Sequence, residues 1–205
     1  MRRLTVDLTF GDGALVEAAR ALRAGDVVAF PTDTLYGLAA DPRSEGALAR
    51  LFALKGRGAE KVVALIASDL PQVRTVATVS DAAARLAARF WPGPLTLVLP
   101  ARAGLASAVV SDAGAVGVRV PDHGVARALA AGFGHAITAT SANRSGDAPT
   151  ADPDEVVRQL PGVDLLVDAG RSPGGPPSTV VDLSRGAPVL LRAGAVPWER
   201  VLESL

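Results

Sequence analysis

The sequence Lys55-Gly56-Arg57 places a cation on either side of a glycine at the end of a predicted helix. Two other polar segments, Pro31-Thr32-Asp33-Thr34 and Thr140-Ser141-Ala142-Asn143, follow apolar stretches that are typical of buried strands. In α/β proteins, ligands bind beyond the carboxyl ends of strands. We therefore expect the three segments to lie near one another as polar loops and to hold a small anionic ligand.

Composition limits the class of protein. The chain has 205 residues and a hydrophobic fraction of 49%, which suits one folded domain. The 21 basic and 21 acidic residues balance, which argues against a uniformly basic nucleic-acid surface but leaves a local basic patch open. Cysteine is absent and there are two histidines, so we predict no disulfide and no metal site built from these residues. With no long apolar run and no signal peptide, we expect a cytoplasmic protein without a membrane span.

The order of predicted elements indicates a single α/β domain with a mixed sheet, because strands and helices are interleaved and no linker or internal repeat interrupts them. We predict a loop over residues 31–39 and another over 140–150. The predicted strands cover residues 4–8, 27–30, 62–67, 95–99, 115–120, 135–139, 165–168, 178–183 and 189–192. The predicted helices cover residues 14–24, 44–55, 81–90 and 124–131, with further helices starting near residues 152 and 197.

Lys55 has an unusual position on its helix. It follows Leu48, Leu51 and Phe52 at helical spacing, so it leaves the helix close to the apolar face. A cation there can complement the helix dipole. Together with Arg57 it can also clamp a phosphate group, as a point charge beside a forked guanidinium. The residues alone leave both interpretations open.

Arg119 lies inside the apolar run from Val116 to Val120. Val118 and Val120 point to the opposite face of a strand from Arg119. Burying an unpaired guanidinium is costly, so Arg119 faces either solvent or a carboxylate that lines a cleft.

Several hydroxyl and amide side chains follow or end predicted strands. Thr32, Ser141, Asn143 and Ser178 can donate hydrogen bonds to a phosphate or a carboxylate, and Arg192 ends a late strand. The same residue types also stabilise ordinary turns through bonds to their own backbone. Spacing alone does not separate these roles.

Taken together, the motifs resemble the YrdC/TsaC family of L-threonylcarbamoyladenylate synthases in order and spacing, over roughly residues 10–196. The segments that carry the resemblance are Phe30-Pro31-Thr32-Asp33-Thr34-Leu35-Tyr36-Gly37-Leu38, Lys55-Gly56-Arg57, Trp91-Pro92-Gly93-Pro94-Leu95-Thr96, Val118-Arg119-Val120-Pro121-Asp122-His123, Ser141-Ala142-Asn143-Arg144-Ser145-Gly146, Ser178-Thr179-Val180-Val181-Asp182 and Leu191-Arg192-Ala193-Gly194.

This resemblance implies a fold and a reaction. The expected fold is a twisted, mixed sheet with surrounding helices and a large basic cavity, in the short single-domain form over residues 1–205. The expected enzyme is a nucleotidyltransferase that forms threonylcarbamoyl-AMP and pyrophosphate from L-threonine, bicarbonate and ATP. Its product serves tRNA N6-threonylcarbamoyladenosine modification together with partner proteins. Mg²⁺ is expected because phosphates need a counter-charge, although the sequence contains no dedicated metal site.

The resemblance also assigns roles to individual residues. Those expected to hold L-threonine are Thr32, Arg119 and Ser178. Those expected to hold ATP are Lys55, Arg57, Ser141, Asn143 and Arg192. Lys55 and Arg57 are in addition the expected catalytic residues. Because two anions have to meet, catalysis is expected to rest on positioning and charge neutralisation.

The chain departs from the family pattern in one loop, and two other functions compete with the synthase. The family usually has prolines after the Lys-x-Arg signature, whereas this chain has none between Lys55 and Ala64, which predicts a more flexible loop. The alternative function is a double-stranded RNA or tRNA binding paralogue without synthase activity; the retained Ser-x-Asn loop favours the synthase. A carbamoyl-transfer domain like that of hydrogenase-maturation proteins is disfavoured, because those chains carry zinc-binding cysteines.

Overall fold

The computed structural model describes residues 1–6, 13–56 and 62–205. Within these ranges the chain forms ten strands, seven α-helices and a short 3-10 turn over residues 107–109. The strands are β1 (Arg2–Thr5), β2 (Val28–Phe30), β3 (Gly37–Ala39), β4 (Ala64–Ile66), β5 (Leu95–Pro100), β6 (Ala115–Arg119), β7 (Ile137–Ser141), β8 (Leu165–Asp168), β9 (Thr179–Asp182) and β10 (Val189–Arg192). The helices are α1 (Gly13–Arg23), α2 (Glu45–Lys55), α3 (Leu70–Val76), α4 (Asp81–Phe90), α5 (Gly124–Phe133), α6 (Pro153–Gln159) and α7 (Trp198–Leu202).

All of these strands belong to one twisted, mixed sheet in the order β1-β8-β2-β3-β7-β4-β6-β5-β9-β10. Strand β7 joins the two halves of the sheet, because residues 137–139 pair with β4 and residues 140–141 pair with β3. The sheet contains both parallel pairs, such as β4–β6, and antiparallel pairs, such as β5–β6. The predicted α/β class with a mixed sheet is therefore confirmed.

Three local predictions differ from the structure. The predicted loop over residues 31–39 contains β3, a three-residue strand that is held by pairing with β2 and β7 on its two sides. Strand β7 runs through Ser141, where a loop was expected. Helix α3 was not predicted, although Asp69 caps it by accepting from the Gln72 amide and a proline lies in its first turn. Residues 7 and 8, which fall in the predicted first strand, lie outside the described ranges.

Alternation along the strands divides the interior into separate packing surfaces. On one side, Leu22 of α1 and Leu129 of α5 pack against Val28, Phe30 and their neighbours in adjacent strands. A larger core on the other side includes Leu38 and residues of α2, α3 and α4. None of the helices in the described part of the chain has the length and apolar character needed to cross a bilayer.

Strand β6 illustrates how the same alternation opens a space on one face. Val116 and Val118 point into the larger core, whereas Ala115, Gly117 and Arg119 face a cavity. This confirms the predicted orientation of Arg119 opposite its valine neighbours. A strand with large residues on one side and small ones on the other packs tightly on only one face.

At Gly194 the backbone passes so close to the backbone of residues 177–179 that only glycine fits. A Cβ atom at this position would lie 2.3 Å from the carbonyl oxygen of Pro177 and 2.6 Å from the amide nitrogen of Thr179. These neighbours are main-chain atoms, so they cannot rotate away as a side chain would. Gly194 thus lets the end of β10 pack directly on residues 177–179, beside the cavity.

We predict that Gly194→Ala lowers the free energy of unfolding by about 1–3 kcal/mol, because overpacking against backbone forces the segments apart. Gly46→Ala is the matched control, since Gly46 lies exposed in α2 and its added Cβ would meet only the Ser44 hydroxyl at 3.9 Å. The control should keep or slightly raise stability through helix propensity. Urea titration measures both, and equal stability of the two variants would contradict the close-approach argument.

Candidate functional site

A cavity of about 660 Å³ opens on the sheet and brings together several of the polar residues that the sequence singled out. Five of the expected site residues line it, namely Thr32, Arg119, Ser141, Ser178 and Arg192. Among the described residues, the charged side chains in its lining are the two arginines and Asp182. The site therefore offers positive charge and hydroxyl donors at once, which suits a small anion.

Small side chains create the open volume. Ala64 on β4, Gly117 on β6 and Ala139 on β7 lie next to each other on the cavity face of neighbouring strands. The ideal Cβ position of Gly117 is 3.5 Å from the Cβ of Ala64, which is ordinary contact. The floor is therefore the bare backbone and methyl groups of the sheet, and the space above it stays unfilled.

Arg119 ends β6 and is only 7% exposed. Its Nη2 donates to the carboxylate of Asp33, the partner that the sequence could not identify. The second oxygen of Asp33 accepts from the Asp122 amide at 3.3 Å. Burial, and next the nearby charge of Arg192, lower the pKa of Arg119 to about 10, so the guanidinium is charged at neutral pH. Its Nε is buried without a hydrogen-bond partner, which leaves donor capacity unused.

Arg192, Ser178 and Thr96 form a connected set across the end of β10, the start of β9 and β5. Arg192 donates to the backbone oxygen of Ser178 at 2.8 Å and to its hydroxyl at 3.0 Å. The hydroxyl of Ser178 lies 2.8 Å from that of Thr96, and both residues are buried. Burial also lowers the pKa of Arg192.

The hydroxyl of Thr32 serves its own loop. It donates to the carbonyl of Leu35 at 2.7 Å and accepts from the amides of Thr34 and Leu35 at 3.2 and 3.3 Å. This is the turn arrangement that the sequence left open as the alternative to ligand binding. Thr32 nevertheless lines the cavity, so its turn shapes one wall.

Lys55 lies beneath the loop that follows β7 and is 3% exposed. Its ammonium group donates to the backbone oxygens of Ser141 and Asn143, the latter at 2.9 Å. The amide of Ser145 in turn donates to the carbonyl of Lys55 at 2.8 Å. The helical spacing therefore correctly indicated an inward-pointing lysine, and the structure shows that these contacts hold a loop of the site in place.

Asn143 also stabilises this loop. Its amide nitrogen donates to the carbonyls of Arg144 and Asp147, both at 2.8 Å, while its side-chain oxygen is buried without a partner. Neither Asn143 nor Lys55 is among the described residues that line the cavity. Arg57, expected beside Lys55, and the rest of the proline-free segment over residues 57–61 lie outside the described ranges.

Two residues of the site were missed as functional candidates by sequence reasoning. The sequence pattern places Asp33 in a polar loop and Thr96 in a proline-glycine turn, without assigning either a role. Spacing carried no signal for either contact, because Asp33 meets Arg119 across 86 residues and Thr96 meets Ser178 across 82. Only the pairing of β5 with β9 and of loop 31–36 with the end of β6 brings them together.

The described residues offer no cluster of acidic side chains that would bind Mg²⁺ without the substrate phosphates. They contain no group of three or more histidine, cysteine, aspartate or glutamate side chains that could hold a metal ion. Asp182 supplies one carboxylate to the cavity lining, and an Mg²⁺ ion bound through one carboxylate would also need the substrate phosphates as ligands.

We predict that Asp33→Asn lowers the free energy of unfolding by roughly 3 kcal/mol, because it leaves the buried guanidinium of Arg119 without its counter-charge. Asp26→Asn is the control, since Asp26 pairs with Arg50 at the surface at 3.4 Å. That exposed pair should contribute less than about 1 kcal/mol. Chemical denaturation compares the two, and an equally small effect of both changes would show that the Asp33 pair does not hold Arg119.

Comparison with known proteins identifies the family of this chain. The Sua5/yciO/yrdC family model, described as "Telomere recombination", matches residues 20–194. A Pyrococcus abyssi protein named threonylcarbamoyl-AMP synthase is 38% identical over 186 residues, which are 90% of this chain and 55% of the relative. One of the same name from Idiomarina loihiensis is 37% identical over 172 residues, covering 81% of this chain and 91% of the relative.

The fold has solved counterparts. The crystal structure of P. abyssi Sua5 complexed with L-threonine superimposes with a TM-score of 0.92 at 34% identity, covering all of this chain and 60% of the other. This chain thus spans a little over half of the length of the P. abyssi relative. With a family model matched over most of its length and relatives this similar, the chain belongs to the Sua5/YciO/YrdC family.

Proposed function

We propose that this chain is an L-threonylcarbamoyladenylate synthase, a nucleotidyltransferase that uses L-threonine, bicarbonate and ATP. The observation that carries the proposal is the buried, charged Arg119 in a cavity of about 660 Å³ that also contains Arg192 and several hydroxyls. Relatives named for this synthase activity, and a solved relative with bound L-threonine, support it.

In the proposed reaction, the amine of threonine attacks the carbon of bicarbonate, and water leaves to give a carbamate. An oxygen of the carbamate then attacks the α-phosphorus of ATP, and pyrophosphate leaves. Both substrates of the second step are anions, so their approach has to overcome charge repulsion. Arg119 and Arg192 are the described cations in the cavity lining that can offset it.

The proposed roles follow position in the site. Arg119 pairs with the α-carboxylate of threonine, with Ser178 and the Thr32 turn beside it. Arg192 and Ser141 line the part assigned to ATP, and Lys55 acts through its contacts with Ser141 at the end of β7 and with Asn143 in the loop that follows. Arg57 remains a predicted ATP contact and catalytic residue. Mg²⁺ stays a prediction as a counter-ion that arrives with the ATP phosphates.

The wider setting is part of the same proposal. The product would pass to tRNA-modification partners in the cytoplasm, and the single-domain organisation over residues 1–205 stays a prediction.

RNA binding without synthase activity is the alternative function. Measuring pyrophosphate release from ATP and bicarbonate, with and without L-threonine, separates the two. Threonine-dependent release supports the synthase; ATP use that is independent of threonine, or no ATP use together with salt-sensitive RNA binding, contradicts it.

We predict that Arg119→Ala abolishes the threonine dependence of pyrophosphate release, whereas Lys55→Ala mainly weakens the use of ATP. The first change removes the proposed carboxylate partner, and the second removes the contacts that hold Ser141 at the end of β7 and Asn143 in the loop that follows. Arg74→Ala, at an exposed position on α3, is the control and should leave the rate unchanged. ATP binding by the Arg119 variant checks that it folds. Full activity of both test variants would show that the site assignment is wrong.

A further inference from the structure

The hydroxyl pair of Thr96 and Ser178 is a buried polar contact that no role assigned above uses. Thr96 lies on β5 with 5% of its surface exposed, and Ser178 precedes β9 with 7% exposed. Their oxygens are 2.8 Å apart, and both residues line the cavity. Only one of the two hydroxyls can donate to the other, because a single hydrogen bond uses one proton. The direction of this bond therefore decides which hydroxyl can donate to an anion in the cavity.

Arg192, which also contacts Ser178, determines how many of the two hydroxyl protons remain available to a ligand. Arg192 can only donate, and its Nη2 donates to the Ser178 hydroxyl at 3.0 Å, which occupies one acceptor position of that oxygen. The Thr96–Ser178 bond uses one of the two hydroxyl protons. One proton therefore remains for a further acceptor, and which hydroxyl carries it depends on the direction of that bond.

We propose that Thr96 donates to Ser178 and thereby fixes Ser178 as a donor to the anionic ligand, so that Thr96 is a positioning residue of the site. With Arg192 and Thr96 both donating, the two acceptor positions of Ser178 are filled and its own proton is directed to the ligand. Such a chain of donors aimed at one anion is cooperative. The inference rests on the proposed function, which supplies the carboxylate of L-threonine as that ligand.

Packing around Thr96 supports a role of the hydroxyl rather than of the methyl group. The ideal Cβ position of Gly117 lies 3.6 Å from the Thr96 methyl carbon, so in the protein that methyl faces a glycine that has no side chain. Its removal therefore loses little contact on this side. The Thr96 hydroxyl, in contrast, has a partner that itself contacts Arg192.

Calorimetric titration of L-threonine into four variants tests this. Thr96→Val, which removes the hydroxyl at nearly constant shape, should weaken binding roughly 3- to 10-fold, as expected for a lost hydrogen bond. Thr96→Ser keeps the hydroxyl and should stay within about two-fold of the wild type. Ser178→Ala should weaken binding at least as much as Thr96→Val. The double variant Thr96→Val/Ser178→Ala should bind L-threonine no more weakly than Ser178→Ala alone, because Thr96 acts through Ser178.

Steady-state kinetics of the same variants gives a second readout. Thr96→Val should raise the KM for threonine with little change in kcat at saturating threonine, because the hydroxyl orients a binding group. A variant that is merely less stable would lower the active fraction and hence the apparent kcat instead.

Four results would overturn the inference. They are unchanged binding by Thr96→Val, equal losses in Thr96→Val and Thr96→Ser, additive losses in the double variant, and a larger loss in Thr96→Val than in Ser178→Ala. The last would make Thr96 the direct ligand contact. If the wild type does not bind L-threonine at all, the proposed function fails together with the inference; if it binds while Thr96→Val is unaffected, only the inference fails.

Discussion

One strand, β6, carries the constraint on which the site depends. Val116 and Val118 fill the core on one face, while Ala115 and Gly117 leave the other face nearly bare. The next residue with that orientation is Arg119, so the strand places a positive charge at the edge of the cavity. Larger residues at the small positions would fill the cavity, and a register slip by one residue would turn the arginine into the core.

The buried charge then determines much of the surrounding structure. A guanidinium that is 7% exposed needs a counter-charge, and Asp33 supplies it from the loop after β2. The same carboxylate accepts from the Asp122 amide, so the loop and the end of β6 are joined. Lys55 joins α2 to the loop after β7 through backbone oxygens in a comparable way. Buried cations thus position the segments that line the cavity.

Much of the fold and some of the site could be predicted from sequence because the relevant signals are local. Helical spacing indicated that Lys55 points inward, and alternation indicated that Arg119 faces away from its valines. Strand β3 and helix α3 escaped prediction. Strand β3 has only three residues, Gly-Leu-Ala, and forms because it pairs with β2 and β7. Helix α3 is short, and its only sequence signals are an N-terminal cap and a proline in the first turn. The contacts of Asp33 and Thr96 could not be predicted, because they join distant parts of the chain.

The central claim is that Arg119 holds the carboxylate of an amino-acid substrate in the cavity. The most direct test compares the binding of L-threonine with that of L-threoninol, which keeps the amine and hydroxyl but lacks the carboxylate. Calorimetry on the unmodified protein should show binding of L-threonine and a loss of at least about 100-fold for L-threoninol, as expected when the ligand loses a charge-assisted hydrogen bond from a buried guanidinium. Equal binding of the two ligands would contradict the account.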